Sequence, residues 1–185
     1  MQEFLYYNPV KLFCGEQQLP SVIAEMKQYG DSVLLILGGE SFAKNGNEQP
    51  LIDALEQAGI TCYELRGNRT PSLRVVREGI ALCRKQSIRC VLGIGGGVCM
   101  DIAKTIAFGV KQSRDIWEYL TYQAQPDTME HLPVGTIPTI PSSGSDMDGA
   151  TQITNDETAE QAGLSDVYPN FTWLNPAYIA KLPVK

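Results

Sequence analysis

The sequence is short of histidine, of basic charge and of long apolar runs, and each shortage removes a class of protein. With His131 as the single histidine, no site built on several imidazoles can be assembled from this chain. Fifteen Lys and Arg against 21 Asp and Glu leave a net charge of -6, which offers no general attraction to nucleic acid or to an anionic membrane surface. No apolar stretch is long enough to span a bilayer. The start, Met1-Gln2-Glu3-Phe4-Leu5-Tyr6-Tyr7, lacks the basic lead and unbroken apolar run of a signal peptide. The cysteines Cys14, Cys62, Cys83, Cys90 and Cys99 are odd in number and never spaced C-x-x-C, as expected of reduced, mostly buried thiols in a cytoplasmic protein.

What is present is a core. At 185 residues, 43% of them apolar and only 19% charged, the chain has the make-up of one folded domain over residues 1–185. Apolar runs with the look of buried strands recur at Val33–Leu37, Thr61–Leu65, Cys90–Ile94 and Val134–Ile137. Helix-length segments precede the first three, at Ser21–Tyr29, Leu51–Ala58 and Leu73–Gln86, the last with Leu73, Val76, Ile80 and Cys83 on one face. Strand and helix alternating at near-constant intervals predict βαβ units. Because the strands are continuously apolar, the predicted fold is α/β: a Rossmann-like parallel sheet with helices on both faces. Thr70 is the expected cap of a helix opening at Pro71, Gly59 follows the helix ending at Ala58, and Asp115 and Glu118 have capping-box spacing. Two short β runs, Ala150–Thr154 and Phe171–Leu174, flank a turn around Asn155-Asp156-Glu157-Thr158.

The Cys90–Ile94 strand runs directly into Gly95-Gly96-Gly97, and three residues on the chain turns helical through Asp101 and Lys104. Glycines at the end of a strand expose backbone N–H groups, and the next helix aims its positive end at them, an arrangement suited to the diphosphate of a nucleotide. A glycine turn that binds nothing is the alternative reading. Two further loops leave strand ends with fitting composition, Gly38-Gly39-Glu40-Ser41 and the hydroxyl-rich stretch from Thr139 through Ser143 to Ser145. In an open parallel sheet, ligands bind beyond the carboxyl ends of the strands where strand order reverses, so the three loops together favour a nucleotide site. Cys99 stands beside the glycines, where a helix start would lower its pKa, though packing is the favoured explanation of a cysteine there.

Gly95-Gly96-Gly97-Val98-Cys99-Met100-Asp101-Ile102-Ala103-Lys104 and Pro133-Val134-Gly135-Thr136-Ile137-Pro138-Thr139 together resemble the iron-dependent (group III) alcohol dehydrogenase family, with its patterns GGGSxxDxxK and LPxGTxxTxxxTGSE. Tyr7 through Gly15 is similar to the family's N-terminal strand, and Leu174-Asn175-Pro176 through Leu182-Pro183 looks like its LDPxxxxxLP hinge. Gly38-Gly39-Glu40-Ser41 with Lys44-Asn45-Gly46 looks closest to the butanol dehydrogenase and aldehyde reductase branch. The resemblance implies a dehydroquinate synthase-like N-terminal domain that holds NAD or NADP, through Gly38, Gly39, Glu40, Ser41, Gly95, Gly96, Gly97, Val98, Asp101, Thr139, Ser143 and Asp148. It also implies a homodimer paired through Phe4–Tyr7.

In the family a second, helical lobe holds a divalent metal through one Asp and three His. The chain reaches Lys185 before that lobe's motif, so no metal and no alcohol dehydrogenase activity are expected of these 185 residues alone. The cofactor loops also depart from the pattern: Val98 stands for a phosphate-binding Ser, Thr70 for an Asn, Asp148 for an Asn and Gln161 for a Lys near the nicotinamide ribose. Each change is expected to weaken binding of an anion. Glu40 replaces a Gly of the loop that in this branch accommodates the 2′-phosphate of NADP, which favours NAD, the alternative being that Glu40 simply faces solvent. Two readings stay open beside this one: a non-catalytic nucleotide-binding or interaction module derived from the family, and the related dehydroquinate synthase or glycerol dehydrogenase branches.

Overall fold

The structure, a computed structural model, describes residues 3–180, so Leu182 and Pro183 of the expected hinge lie outside the described residues. Strand β1 (Lys11–Cys14) is followed by a 3-10 turn and helix α1 (Leu19–Lys27), then β2 (Ser32–Leu37), α2 (Ser41–Lys44), α3 (Glu48–Gln57) and β3 (Thr61–Leu65). The chain continues through α4 (Leu73–Gln86), β4 (Cys90–Gly95), α5 (Gly97–Gly109), α6 (Ile116–Leu120) and β5 (Val134–Pro138). It ends with β6 (Ile153–Thr154), β7 (Gln161–Ala162), β8 (Phe171–Leu174) and α7 (Pro176–Ala180). Six strands form one parallel sheet in the order β1-β8-β5-β4-β2-β3, and β6 and β7 form a separate antiparallel hairpin.

Both faces of the sheet are covered, as continuous apolarity predicts. Along β2 the residues alternate between two cores: Val33, Leu35 and Leu37 pack with α1 and α3, while Leu34 and Ile36 pack with α4, α5 and α6. At β4, Leu92 and Ile94 join the first core and Val91 the second. The chain moves outward from β2 to β3, returns across β2 to lay down β4, and then proceeds the opposite way to β5 and β8. Strand order therefore reverses between β2 and β4, opening a crevice beyond their carboxyl ends.

Several element ends differ from the sequence expectation. Helix α1 starts two residues before Ser21, taking Pro20 into its first turn, where the missing N–H is no loss, and it ends at Lys27. Helix α3 starts at Glu48, ahead of Leu51, because its polar first turn carries no apolar period. Ser72, not Thr70, caps α4: its hydroxyl accepts from the Val75 amide at 3.3 Å, and Pro71 stays outside the helix. Asp115 caps α6 through the Trp117 amide at 3.1 Å, while Glu118 pairs with Arg114 at 3.1 Å and does not reach back to close a box. The Ala150–Thr154 run shrinks to Ile153–Thr154, whose partner Gln161–Ala162 carries no β-forming pattern. Phe171–Leu174 inserts into the main sheet between β1 and β5.

Strand β8 meets β5 at Gly135, paired with Phe171, and a Cβ on Gly135 would run into the Phe171 ring and Leu92 Cδ1. Gly135→Ala is therefore expected to destabilise the fold by about 1–3 kcal/mol, the range for overpacking a filled core. Urea unfolding checks this: the midpoint should fall with the slope unchanged, and an unmoved midpoint would show that the core has room.

Candidate functional site

The glycine triplet is divided among three roles. Gly95 closes β4 at φ 149°, a left-handed geometry in which a Cβ would come within 2.7 Å of Cys99 Sγ. Gly96 caps α5 with no side chain to fill the helix start, and Gly97 is already the first helical residue, so the helix begins earlier than the sequence suggests. The Cys99 amide turns back to the Gly96 carbonyl at 3.0 Å. The first amides of a helix have no intrahelical acceptor, so this end presents donors and the positive pole of the dipole beyond β4.

Opposite it, β2 runs into Gly38 and Gly39. The Gly38 amide donates to the Ile94 carbonyl at 3.4 Å, the Gly67 amide to the Gly38 carbonyl at 3.1 Å and the Thr139 amide to the Gly95 carbonyl at 2.9 Å, which ties the ends of β2, β3, β4 and β5 together. A cavity of about 280 Å³ opens at this point, lined by Gly38, Gly39, Ser41, Phe42, Asn68, Arg69, Ile94, Gly95, Gly96, Val98, Cys99, Thr139 and Ile140. A neighbouring cavity of about 350 Å³ shares Gly38 and Gly39 and adds Glu40, Glu48 and Arg66. Glu40 pairs with Lys44 at 2.6 Å, both side chains being largely exposed.

Of the residues expected here from sequence, Gly38, Gly39, Ser41, Gly95, Gly96, Val98 and Thr139 wall the first cavity and Glu40 the second. Ser143 and Ser142 lie over the helix start, with hydroxyls 3.2 and 3.3 Å from where a Cβ on Gly97 would stand. Asp101 and Asp148 line neither cavity. They belong to a polar knot around Lys104, whose ammonium is fully buried. Lys104 Nζ donates to the carbonyls of Ser145 at 3.0 Å, Asp148 at 3.3 Å and Ala150, and to Asp148 Oδ1 at 3.1 Å. Asp101 accepts from the Ser145 hydroxyl at 2.6 Å and the Gln152 amide at 3.1 Å, with Lys104 Nζ 3.7 Å away. Burial pushes the Asp101 carboxyl up, while the Ser145 hydroxyl and the Lys104 charge pull it back. Both carboxylates thus fasten residues 145–152 to α5. Gln161 sits on β7, bonded to Gln152 at 3.1 Å and away from both cavities.

Asn68 and Arg69 were not expected from sequence. Buried Asn68 donates its amide to the Leu37 carbonyl at 3.0 Å and the Leu65 carbonyl at 2.8 Å, fixing the loop after β3 against the end of β2. The signal was available: β3 pairs with β2, so the loop leaving β3 emerges on the same carboxyl edge. No group of three or more His, Cys, Asp or Glu among the described residues is placed to hold a metal ion, and His131 Nδ1 lies 2.7 Å from the adjacent Leu132 carbonyl. No helix of the described residues is long and apolar enough to cross a membrane.

Fold and crevice define a doubly wound α/β domain with a glycine-walled opening at its topological switch point. The sequence model of the iron-containing alcohol dehydrogenases matches residues 9–176, and the chain belongs to that family. It is 38% identical over 186 aligned residues to the probable NADH-dependent butanol dehydrogenase 1 of Bacillus subtilis, covering 99% of this chain and 48% of the relative. It is 35% identical to the NADH-dependent butanol dehydrogenase A of Clostridium acetobutylicum, covering 99% of this chain and 47% of that protein. The crystal structure of the NADH-dependent butanol dehydrogenase A of Thermotoga maritima superposes with a TM-score of 0.89 at 34% identity, over 99% of this chain and 46% of that one. The chain spans about half the length of the curated relatives it matches and corresponds to the N-terminal half of an iron-containing alcohol dehydrogenase.

At the crevice, Cys99 is the residue whose reactivity the geometry decides. Burial outweighs the helix start and pushes its thiol up to about 12; Cys83 and Cys90 are likewise raised to about 12 and half-buried Cys62 to about 11. At pH 8 these thiols are protonated, whereas Cys14 is exposed. A disulfide reagent at pH 8 should therefore modify one thiol rapidly in the native protein and the rest only in denaturant, and Cys14→Ser should remove the fast phase. A fast phase lost instead in Cys99→Ser would contradict this ordering.

Proposed function

We propose that this chain is the nicotinamide dinucleotide-binding half of an NADH-linked alcohol or aldehyde oxidoreductase. The observation that carries the reading is the opening between β2 and β4, where β2 runs into Gly38 and β4 ends at Gly95, beside a helix start that no side chain caps. In this reading Gly95, Gly96, Gly97 and Val98 offer backbone amides to the diphosphate, with Thr139 and Ser143 contributing hydroxyls. Gly38, Gly39 and Ser41 form the opposite wall, and Glu40 accepts from free ribose hydroxyls. When bound, the dinucleotide supplies a hydride donor or acceptor. Asp101 and Asp148 act at one remove, by holding residues 145–152 in place through Lys104. Among the described residues no cluster of His, Cys, Asp and Glu could hold the family's iron.

Support for the cofactor comes from the three similar proteins named above, each of which bears NADH-dependence in its name. For NADH over NADPH the support is Glu40, at the rim of the second cavity. Like charges about 4 Å apart in water cost about 1 kcal/mol, so Glu40→Gly should improve NADPH binding relative to NADH roughly fivefold. Calorimetric titration of the chain with each nucleotide tests both statements. Saturable heat with NADH is expected, weaker with NADPH; no heat with either at millimolar ligand would overturn the proposal.

A second copy of this chain is the proposed cover for Phe4, Leu5, Tyr6 and Tyr7, which are 76% to 93% exposed and lead into the edge strand β1. Size-exclusion chromatography with light scattering should give a dimer that Phe4→Asp with Tyr6→Asp converts to monomer. A monomeric parent refutes the pairing.

A further inference from the structure

Charge is scarce in the crevice. Among the side chains lining the 280 Å³ cavity, Arg69 is the one that carries a full charge at neutral pH. Most other arginines are committed elsewhere: Arg66 to Glu48 and Glu64, Arg74 to Glu78, Arg77 to Asp115, Arg84 to the carbonyls that end α5, and Arg114 to Glu118. Arg69 is exposed, and among the described residues its guanidinium has no hydrogen-bond or ion-pair partner. A guanidinium brings five N–H donors in a planar fork that matches phosphate oxygens in pairs. At a cavity walled by backbone amides, that fork has no ion-pair partner among the described residues.

We propose that Arg69 is an anion-binding residue of the crevice that clamps the diphosphate of the dinucleotide, an assignment that rests on the cofactor reading above. Its position selects the diphosphate over a 2′-phosphate. Arg69 shares its cavity with Gly95, Gly96 and Val98, whereas Glu40, at the ribose in that reading, lines the neighbouring one. The same placement alters the electrostatic balance expected from sequence. Val98 brings no hydroxyl, but Arg69 brings donors and a positive charge to the same cavity. The carboxylate of Asp148, expected to repel the ligand, is held by Lys104 at 3.1 Å and the Ala150 amide at 3.0 Å. Charge-assisted bonds of this kind are among the stronger polar contacts available to a ligand.

The test is calorimetric binding of NADH, NADPH, ADP and adenosine to the chain and to its Arg69→Gln and Arg69→Lys variants. Because the exposed Arg69 guanidinium has no hydrogen-bond or ion-pair partner among the described residues, both variants should unfold at the parent's midpoint. Expected for Arg69→Gln is a loss of about tenfold for NADH, NADPH and ADP alike, with adenosine unchanged and Arg69→Lys intermediate. Equal affinity of parent and Arg69→Gln for NADH overturns the assignment while leaving the cofactor reading intact. So does a loss confined to NADPH, which would put the guanidinium at the 2′-phosphate, or a loss as large for adenosine as for ADP. A parent chain that binds none of the four overturns the cofactor reading and this assignment with it.

Discussion

Helix α5 lies so close against strand β4 that a side chain at Gly93 would press on the helix backbone. A Cβ on Gly93 would come within 3.0 Å of both the Cys99 carbonyl oxygen and the Met100 Cα, which are backbone atoms and cannot swing aside. The helix is in consequence buried on nearly every side, from Cys99 and Met100 through Phe108. Its start is fixed beside the end of β4, and the turn that joins them must pass through Gly95 in a conformation most residues avoid. The crevice inherits its shape from that contact: Cys99 Sγ backs both Gly38 and Gly95, so the two glycine loops share one side chain as their floor.

The same helix governs the third loop, through a buried charge. Lys104 is placed one turn beyond Asp101, and the 3.6-residue period brings both to the side of α5 that faces residues 145–152. An ammonium taken fully out of water must find its hydrogen bonds within the protein, and it takes three backbone carbonyls and one carboxylate. Those carbonyls come from a stretch with little regular structure, so the charge organises a segment that backbone pairing leaves unorganised. A neutral side chain of equal size would fill the space without fixing the loop.

These two facts explain what could be read in the sequence. Strands β2 and β4 were legible to within a residue because burial on both faces leaves only apolar side chains, and α4 was legible because one face must be apolar and the other wet. That the three glycine and hydroxyl loops meet at one edge was legible because a parallel sheet delivers its strand ends there. Asp101 and Asp148 were not, since a motif gives the residue types without the direction in which a side chain leaves the helix. The β6–β7 hairpin escaped because two-residue strands carry no period, and Arg69 because nothing in its neighbours distinguishes a solvated arginine from one at a crevice.

Where the charges stand decides how the crevice treats an anion. The acidic groups near it are partnered within the fold: Asp101 and Asp148 share Lys104, Glu48 and Glu64 share Arg66, and Glu40 meets Lys44 only in an exposed pair that water screens. A net charge of -6 spread over the molecule is screened within about 10 Å at 0.1 M salt, so at the cavity it matters less than the groups lining the walls. Those walls combine amides, hydroxyls and one guanidinium with the apolar side chains of Phe42, Ile94 and Ile140. Low surrounding polarity strengthens each donor that remains, so a small number of fixed dipoles achieves what a basic surface would do without selectivity.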